Sequence, residues 1–287
     1  MKTISVAHSP DADDIFMYYA IKFGWVTPND TKFTNIADDI ETLNQATLRG
    51  EYDICAISFA LYPFIKDDYA LLKTAVSFGE GYGPKLIKKK GTRLKKNFKV
   101  ALSGEFTTNG LLFKIAYPNA RITYMNFLDI EQAVIDGTVD AGVLIHESIL
   151  NFSDELEVEK ELWDIWVELS GGDLPLPLGG MCLRRSIPLH SAIDYENTLI
   201  KAVDVANKNR KVLAPMLLDK GLIRVDADTL DTYLDLYAND NSVELSDIQY
   251  KALDKLFELG YKNGFYENLI KSQDFLIPSL YKELREK

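Results

Sequence analysis

"DIETLNQATLRGEYDICAIS" (Asp39–Ser58) and "DIEQAVIDGTVDAGVLIHES" (Asp129–Ser148) read as one plan written twice. Each is a helical stretch closed by a glycine, then an aspartate, then a short buried strand. The spacing Ala-x3-Gly-x2-Asp recurs, as Ala46, Gly50, Asp53 and as Ala133, Gly137, Asp140. The strands are expected over 54–57 and 141–145. In the second copy Asp129 opens the helix, with Gln132 at the spacing of a capping box.

The elements upstream match as well. "TISVAHS" (Thr3–Ser9) has the look of a strand. The polar turn "PDADD" follows, then apolar residues at helical spacing, Phe16, Tyr19, Ala20 and Phe23, before Gly24. "KVALSGEFTTNGLLFKIAY" (Lys99–Tyr117) repeats the order: strand, Ser103-Gly104, a turn with Thr107 and Thr108, then a helix carrying Leu111, Leu112 and Ile115. Two matching elements in the same order predict two lobes of similar design, each a small α/β sheet. Ligands of open α/β sheets sit beyond the carboxyl ends of the strands, at helix N-termini. Those tips are Ser9–Asp14 and Ser58-Phe59 in one lobe, Ser103–Asn109 and His146-Glu147 in the other. Facing lobes bring all four to one cleft.

The remainder is more helical. "GGDLPLPLGGMCLRRSIP" (Gly171–Pro188) is too rich in Gly and Pro for a helix and is expected to be extended, crossing between lobes. "ENTLIKAVDVANKNRKVLAPML" (Glu196–Leu217) reads as helix. So does Ser246–Leu259, with Ile248, Ala252, Leu256 and Leu259 on one face and Gly260 as its stop. His190, after Pro188, reads as loop. Two lobes with a crossing segment and a helical C-terminus describe a periplasmic-binding-protein-like fold of the second type. Residues 1–96 with 190–287 are expected to form the larger lobe, and 97–189 the smaller one inserted in the chain.

With 287 residues, 47% hydrophobic and 26% charged, the chain has the composition of a folded globular protein. The opening "MKTISVAHSPDADD" carries no apolar core of a secretory signal, and no apolar run approaches the ~20 residues of a membrane span. Together with the leading Met1, this predicts a cytoplasmic protein with no membrane partner. A net charge of −11 speaks against nucleic acid as a partner. The lysine-rich "PKLIKKKGTRLKKNFK" (Pro84–Lys99) is either a solvated connector or a patch that attracts an anion. Cys55 and Cys182 sit in apolar contexts and are expected as buried thiols. Neither a metal-ligand spacing nor a nucleotide fingerprint occurs, so no metal and no cofactor are expected.

Several segments together resemble a known family. "HSPDADDIFMYYAI" (His8–Ile21), "GEFTTNGLLF" (Gly104–Phe113), "AGVLIHE" (Ala141–Glu147), "LPLPLGG" (Leu174–Gly180) and "YANDNSVELSD" (Tyr237–Asp247) occur in the same order in 1,4-dihydroxy-6-naphthoate synthases of the futalosine route to menaquinone. The resemblance runs from about Val6 to Gly264. It implies a cofactor-free, cytoplasmic carbon–carbon lyase. Such an enzyme converts cyclic dehypoxanthine futalosine, an anionic small molecule, to 1,4-dihydroxy-6-naphthoate and releases a three-carbon sugar fragment. The first loop departs from the family's Ser-Pro-Cys-Pro-Asn-Asp-Thr-Phe. Ser9, Pro10, Asp14 and Phe16 match, whereas Asp11, Ala12, Asp13 and Ile15 do not, and two of these add carboxylates.

The resemblance makes His146 the catalytic base, a role suited to imidazole because its ordinary pKa lies near neutrality. Substrate contacts are expected from Ser9, Asp14, Ser58, Thr107, Thr108, Gly179 and Gly180. Each has a plainer alternative: helix capping for the threonines, a favourable helix start for Asp14, and a simple turn for the glycines. Glu147 reads as a surface or lobe-interface charge. His8 reads as structural, and Trp163 and Trp166 as core. Two other functions stay open on the residues. One is a chorismate dehydratase-like enzyme of the same pathway; the other is a binding protein that holds a small organic anion without chemistry.

Overall fold

A computed structural model describes residues 2–172 and 174–279. Met1, Asp173 of the expected crossing segment and the end of the expected larger lobe beyond 279 lie outside the described residues. Eleven strands form two mixed sheets among the described residues. The first sheet contains β1 (Lys2–His8), β2 (Thr31–Ala37), β3 (Ile54–Ser58), β4 (Tyr69–Leu71) and β5 (Ser77–Gly79). The second contains β6 (Lys85–Lys89), β7 (Lys99–Leu102), β8 (Arg121–Tyr124), β9 (Ala141–Leu144) and β10 (Leu156–Glu161). β11 (Leu176–Arg184) returns to the first sheet. The orders are β2-β1-β3-β11-β4, with β5 also on β11, and β10-β6-β9-β7-β8.

The duplicated plan is visible in the pairing. β1 runs parallel to β2 and β3, and β7 runs parallel to β8 and β9. In each sheet an antiparallel strand, β11 or β6, lies beside the strand of the repeat. The repeated aspartates have matching jobs. Asp53 Oδ2 accepts from the backbone N–H of Ser5 at 2.9 Å, and Asp140 Oδ2 accepts from Lys99 N–H at 2.7 Å. Each satisfies a donor just ahead of the first residue that pairs with the repeat's strand, Val6 or Val100.

Ten helices pack around the sheets among the described residues: α1 (Ala12–Lys22), α2 (Ile40–Leu48), α3 (Tyr62–Ile65), α4 (Thr108–Ala116), α5 (Ile130–Ile135), α6 (Leu162–Ser170), α7 (Leu189–Lys208), α8 (Arg210–Asp219), α9 (Ala227–Tyr237) and α10 (Asp247–Lys262). Gly50 and Gly137 take φ of 69° and 74° after α2 and α5, the left-handed backbone that ends a helix cheaply only with glycine. Asp39 caps α2 by accepting from Glu41 and Thr42 N–H.

Several expectations are corrected. No capping box forms at Asp129, because a 3₁₀ turn (Phe127–Asp129), capped by Asn126, precedes α5; Gln132 bonds Asp136 instead. The complete box belongs to α10, where Ser246 and Gln249 satisfy one another's backbone. α10 also runs through Gly260, whose missing side chain makes room for the Tyr266 ring. Ile248 is exposed; Leu253 and Phe257 join Ala252, Leu256 and Leu259 in the core. His190 lies in the first turn of α7.

The start of the lysine-rich segment is not a connector. β6 buries Leu86 and Ile87 and lies between β10 and β9, while Lys85 and Lys88 pair with Glu161, Glu157 and Glu159 on β10. Sheet membership also moves two segments relative to the expected division. Lys85–Lys89 joins the second sheet, and Leu176–Arg184 joins the first, so the sheets change at 80–84 and again between β10 and β11. Pro177 is tolerated inside β11 because it sits at a register shift. Cys55 and Cys182 are buried free thiols opposite one another in the β3–β11 ladder. No helix of the described residues is long and apolar enough to cross a membrane.

Candidate active site between the lobes

The carboxyl ends of β1, β3, β7 and β9 converge on one cavity with an empty volume of about 730 Å³, mouth included. Ser9, Asp14, Ser58, Thr107, Thr108, His146, Gly179 and Gly180 all line it. Asp13, Ser77, Asn109, Tyr233 and Tyr237 are further wall residues. Tyr233 and Tyr237 come from α9, where Leu230, Tyr233, Leu234 and Tyr237 are buried at helical spacing behind the cap Asp226. That pattern was available in the sequence.

Four hydrogen bonds join the lobes around the cavity. Thr108 Oγ1 donates to Leu178 O at 2.9 Å and accepts from Ala60 N–H at 3.2 Å. Glu41 Oε2 accepts from Phe106 N–H, and Glu147 Oε1 accepts from Ala12 N–H at 3.0 Å. Glu147 is therefore a lobe-interface group, and it is buried rather than on the surface.

The polar wall groups divide by what remains free to meet a ligand. Thr107 caps α4, accepting from Gly110 N–H, and its own proton has acceptors in Gly104 O and Asn109 Oδ1. Ser58 Oγ accepts from Asn44 Nδ2 at 3.1 Å, which leaves its proton for a ligand. Asp14 Oδ2 accepts from Ser9 N–H. A β-carbon on Gly180 would lie 2.8 Å from the Phe59 ring, so close packing accounts for this glycine. His8 is tied to Ser9 O and Asn35 in the interior, away from the main cavity.

His146 follows β9 at φ 55°, a backbone conformation costing an L-residue roughly 1–2 kcal/mol. The expected straight strand tip is thus a strained turn, opening the 3₁₀ segment His146–Ile149. The imidazole packs edge-on against Phe127, with ring centroids 5.0 Å apart. Its Nε2 lies 3.0 Å from Oδ2 of Asp11. Asp11 is fully buried, and its Oδ1 binds Arg224 Nη2, which also lies 3.4 Å from Glu147 Oε2. Burial pushes the Asp11 carboxyl upward; His146 opposes that shift, Glu147 adds to it, and Arg224 opposes it.

Asp13 is held differently. Ser77 donates to its Oδ2 at 2.8 Å. Burial, with Asp14 and Asp11 nearby, pushes its carboxyl well above the ordinary range. The added carboxylates of the first loop therefore do not simply make the cavity more negative. One is matched by Arg224, and the other is buried with its carboxyl pushed upward. Among the described residues, no three His, Cys, Asp or Glu side chains gather as a metal site.

The menaquinone biosynthesis family matches residues 4–262. A 1,4-dihydroxy-6-naphthoate synthase of Streptomyces coelicolor is 29% identical over 258 residues, covering 88% of this chain and 90% of the relative. One from Thermus thermophilus is 27% identical, covering 90% and 93%. A solved structure from Archaeoglobus fulgidus superimposes with a TM-score of 0.84 at 33% identity, over 91% of this chain and 98% of that one. At 14% identity, the ligand-binding component of an import system from Staphylococcus aureus has a TM-score of 0.71, over 99% of each chain, so the fold is the periplasmic-binding-protein-like one. The chain belongs to the menaquinone biosynthesis family.

Proposed function

We propose that the chain is a cytoplasmic carbon–carbon lyase that converts cyclic dehypoxanthine futalosine to 1,4-dihydroxy-6-naphthoate, with His146 as general base. The observation that carries this reading is His146 on the wall of the interlobe cavity, in a chain of this family. Cleaving a carbon–carbon bond beside oxygenated carbon and then aromatising the ring requires a proton to leave near neutral pH. Imidazole is the side chain whose ordinary pKa suits that step.

The walls supply the complementary contacts. The first N–H groups of α4, at Thr108 and Asn109, suit a carboxylate, as helix N-termini do. The Ser58 hydroxyl has a proton to donate, and Ser9, Asp14, Gly179 and Gly180 border the remaining space. Apolar Ile57, Ile145 and Leu178 suit the flat faces of an aromatic product.

The test is incubation of purified protein with cyclic dehypoxanthine futalosine, with no metal or cofactor added, followed by mass spectrometry. Appearance of dihydroxynaphthoate supports the reading. Substrate bound but recovered intact overturns it in favour of a receptor. Turnover of chorismate, offered separately, overturns it in favour of the dehydratase.

A further inference from the structure

Asp11 occupies the N-cap position of α1 with an extended backbone, φ −80° and ψ 156°, yet its side chain caps nothing. An aspartate there ordinarily accepts from the second or third N–H of its helix. Here the carboxylate turns away, while Glu147 from the other lobe accepts from the first N–H of the helix, that of Ala12. The Asp11 side chain is thereby spent on two other groups, Arg224 at Oδ1 and His146 at Oδ2. Among the described residues neither Asp11 Oδ2 nor His146 Nε2 completes a hydrogen bond. Their 3.0 Å approach is off-line for a finished hydrogen bond, the kind of contact that straightens when a ligand closes a site.

We infer that Asp11 is a positioning residue that holds the Nε2–H of His146, with Arg224 as its counter-charge, so that Nδ1 is the nitrogen left to accept the substrate's proton. This rests on the base reading of His146. Asp11 does not line the cavity and acts only through the imidazole. Fixing one ring nitrogen as the donor fixes the other as the acceptor. Arg224 reaches the cluster from the segment between α8 and α9, with its guanidinium carbon 5.3 Å from the Phe127 ring centroid against which His146 also packs.

The charges around the imidazole support the assignment. It is faced by Asp11 ahead of α1, by Glu147 beside it, and by Arg224 ahead of α9. Asp13 and Asp14 of α1 and the phenols of Tyr233 and Tyr237 share the cavity wall. Asp11 is the nearest of them, with Oδ2 3.0 Å from Nε2, and Arg224 lies behind it on Oδ1.

The experiment compares wild type, Asp11→Asn, Arg224→Gln and His146→Ala. It measures kcat and KM against pH, and it records histidine nitrogen NMR on the substrate-free protein, where three histidines make the spectrum assignable. For wild type, His146 is expected as the Nε2–H tautomer. Asp11→Asn is expected to lower kcat about 10²-fold or more with KM nearly unchanged, and to move the acid limb of the profile to lower pH. Arg224→Gln leaves the carboxylate uncompensated and moves that limb to higher pH. If His146→Ala keeps the wild-type rate, the base reading itself has failed. If His146→Ala is inactive but Asp11→Asn retains the rate, the limb and the tautomer of wild type, the positioning role is overturned. Should Asp11→Asn fail to fold, Arg224→Gln decides: an unmoved limb overturns the inference.

Discussion

Replacing Thr108 with valine tests whether the lobes are docked in solution as they are here. The exchange keeps the shape and removes one oxygen. That oxygen donates to Leu178 O and accepts from Ala60 N–H, so two backbone groups across the lobe boundary lose their partner at once. Thr108 is 2% exposed, which limits replacement by water. A buried polar group left without a partner costs about 1–3 kcal/mol. Valine recovers a little through its buried methyl, and the cavity mouth admits some water to Leu178, so the net expectation is about 2–3 kcal/mol. Thr107→Val is the internal control, since it removes a helix cap for about 1 kcal/mol and leaves the lobe boundary intact. Urea unfolding of the two variants and wild type measures both losses on one scale. A Thr108→Val loss no larger than that of Thr107→Val refutes the reasoning, because the interlobe bonds would then contribute nothing.

Asp13→Asn is expected to be more stable than wild type at neutral pH, with the gain growing as pH rises above about 4. A carboxyl whose folded pKa is raised contributes stability that is present below its unfolded pKa and lost as pH climbs through the folded value. Thermal melts from pH 4 to 8 that show a constant difference contradict this. Gly142→Ala places a β-carbon 2.4 Å from Ile130 Cγ2, where helix α5 packs on β9, and is expected to cost about 1–3 kcal/mol in a thermal melt. An unchanged melting temperature shows that this contact is looser than described.

The repeated plan was legible because its signals are local. Gly50 and Gly137 stop helices through their own backbone freedom, and the strands after Asp53 and Asp140 are short apolar runs. Of the strand tips, Ser9, Asp14, Ser58, Thr107, Thr108 and His146 reach the cavity wall, while Phe59, Ser103 and Glu147 do not line it. What stayed hidden depends on partners distant in sequence. Lys85–Lys89 reads as a charged connector until the glutamates of Leu156–Glu161 are set beside it. Arg224 lies 213 residues from Asp11, and no spacing rule joins them. Neither the Arg224 partner of Asp11 nor the burial that pushes the Asp13 carboxyl upward can be read without the neighbours that only the fold supplies. The strained turn at His146 was equally out of reach, since a histidine after an apolar run predicts no positive φ.

The central claim is that His146 removes the proton in the interlobe cavity. The direct measurement is kcat on cyclic dehypoxanthine futalosine for wild type and His146→Gln at one pH, with the Kd of substrate for each determined by calorimetry. The account predicts a fall in kcat of about 10²-fold or more with Kd changed only a few-fold. An unchanged kcat, or a loss confined to Kd, contradicts it.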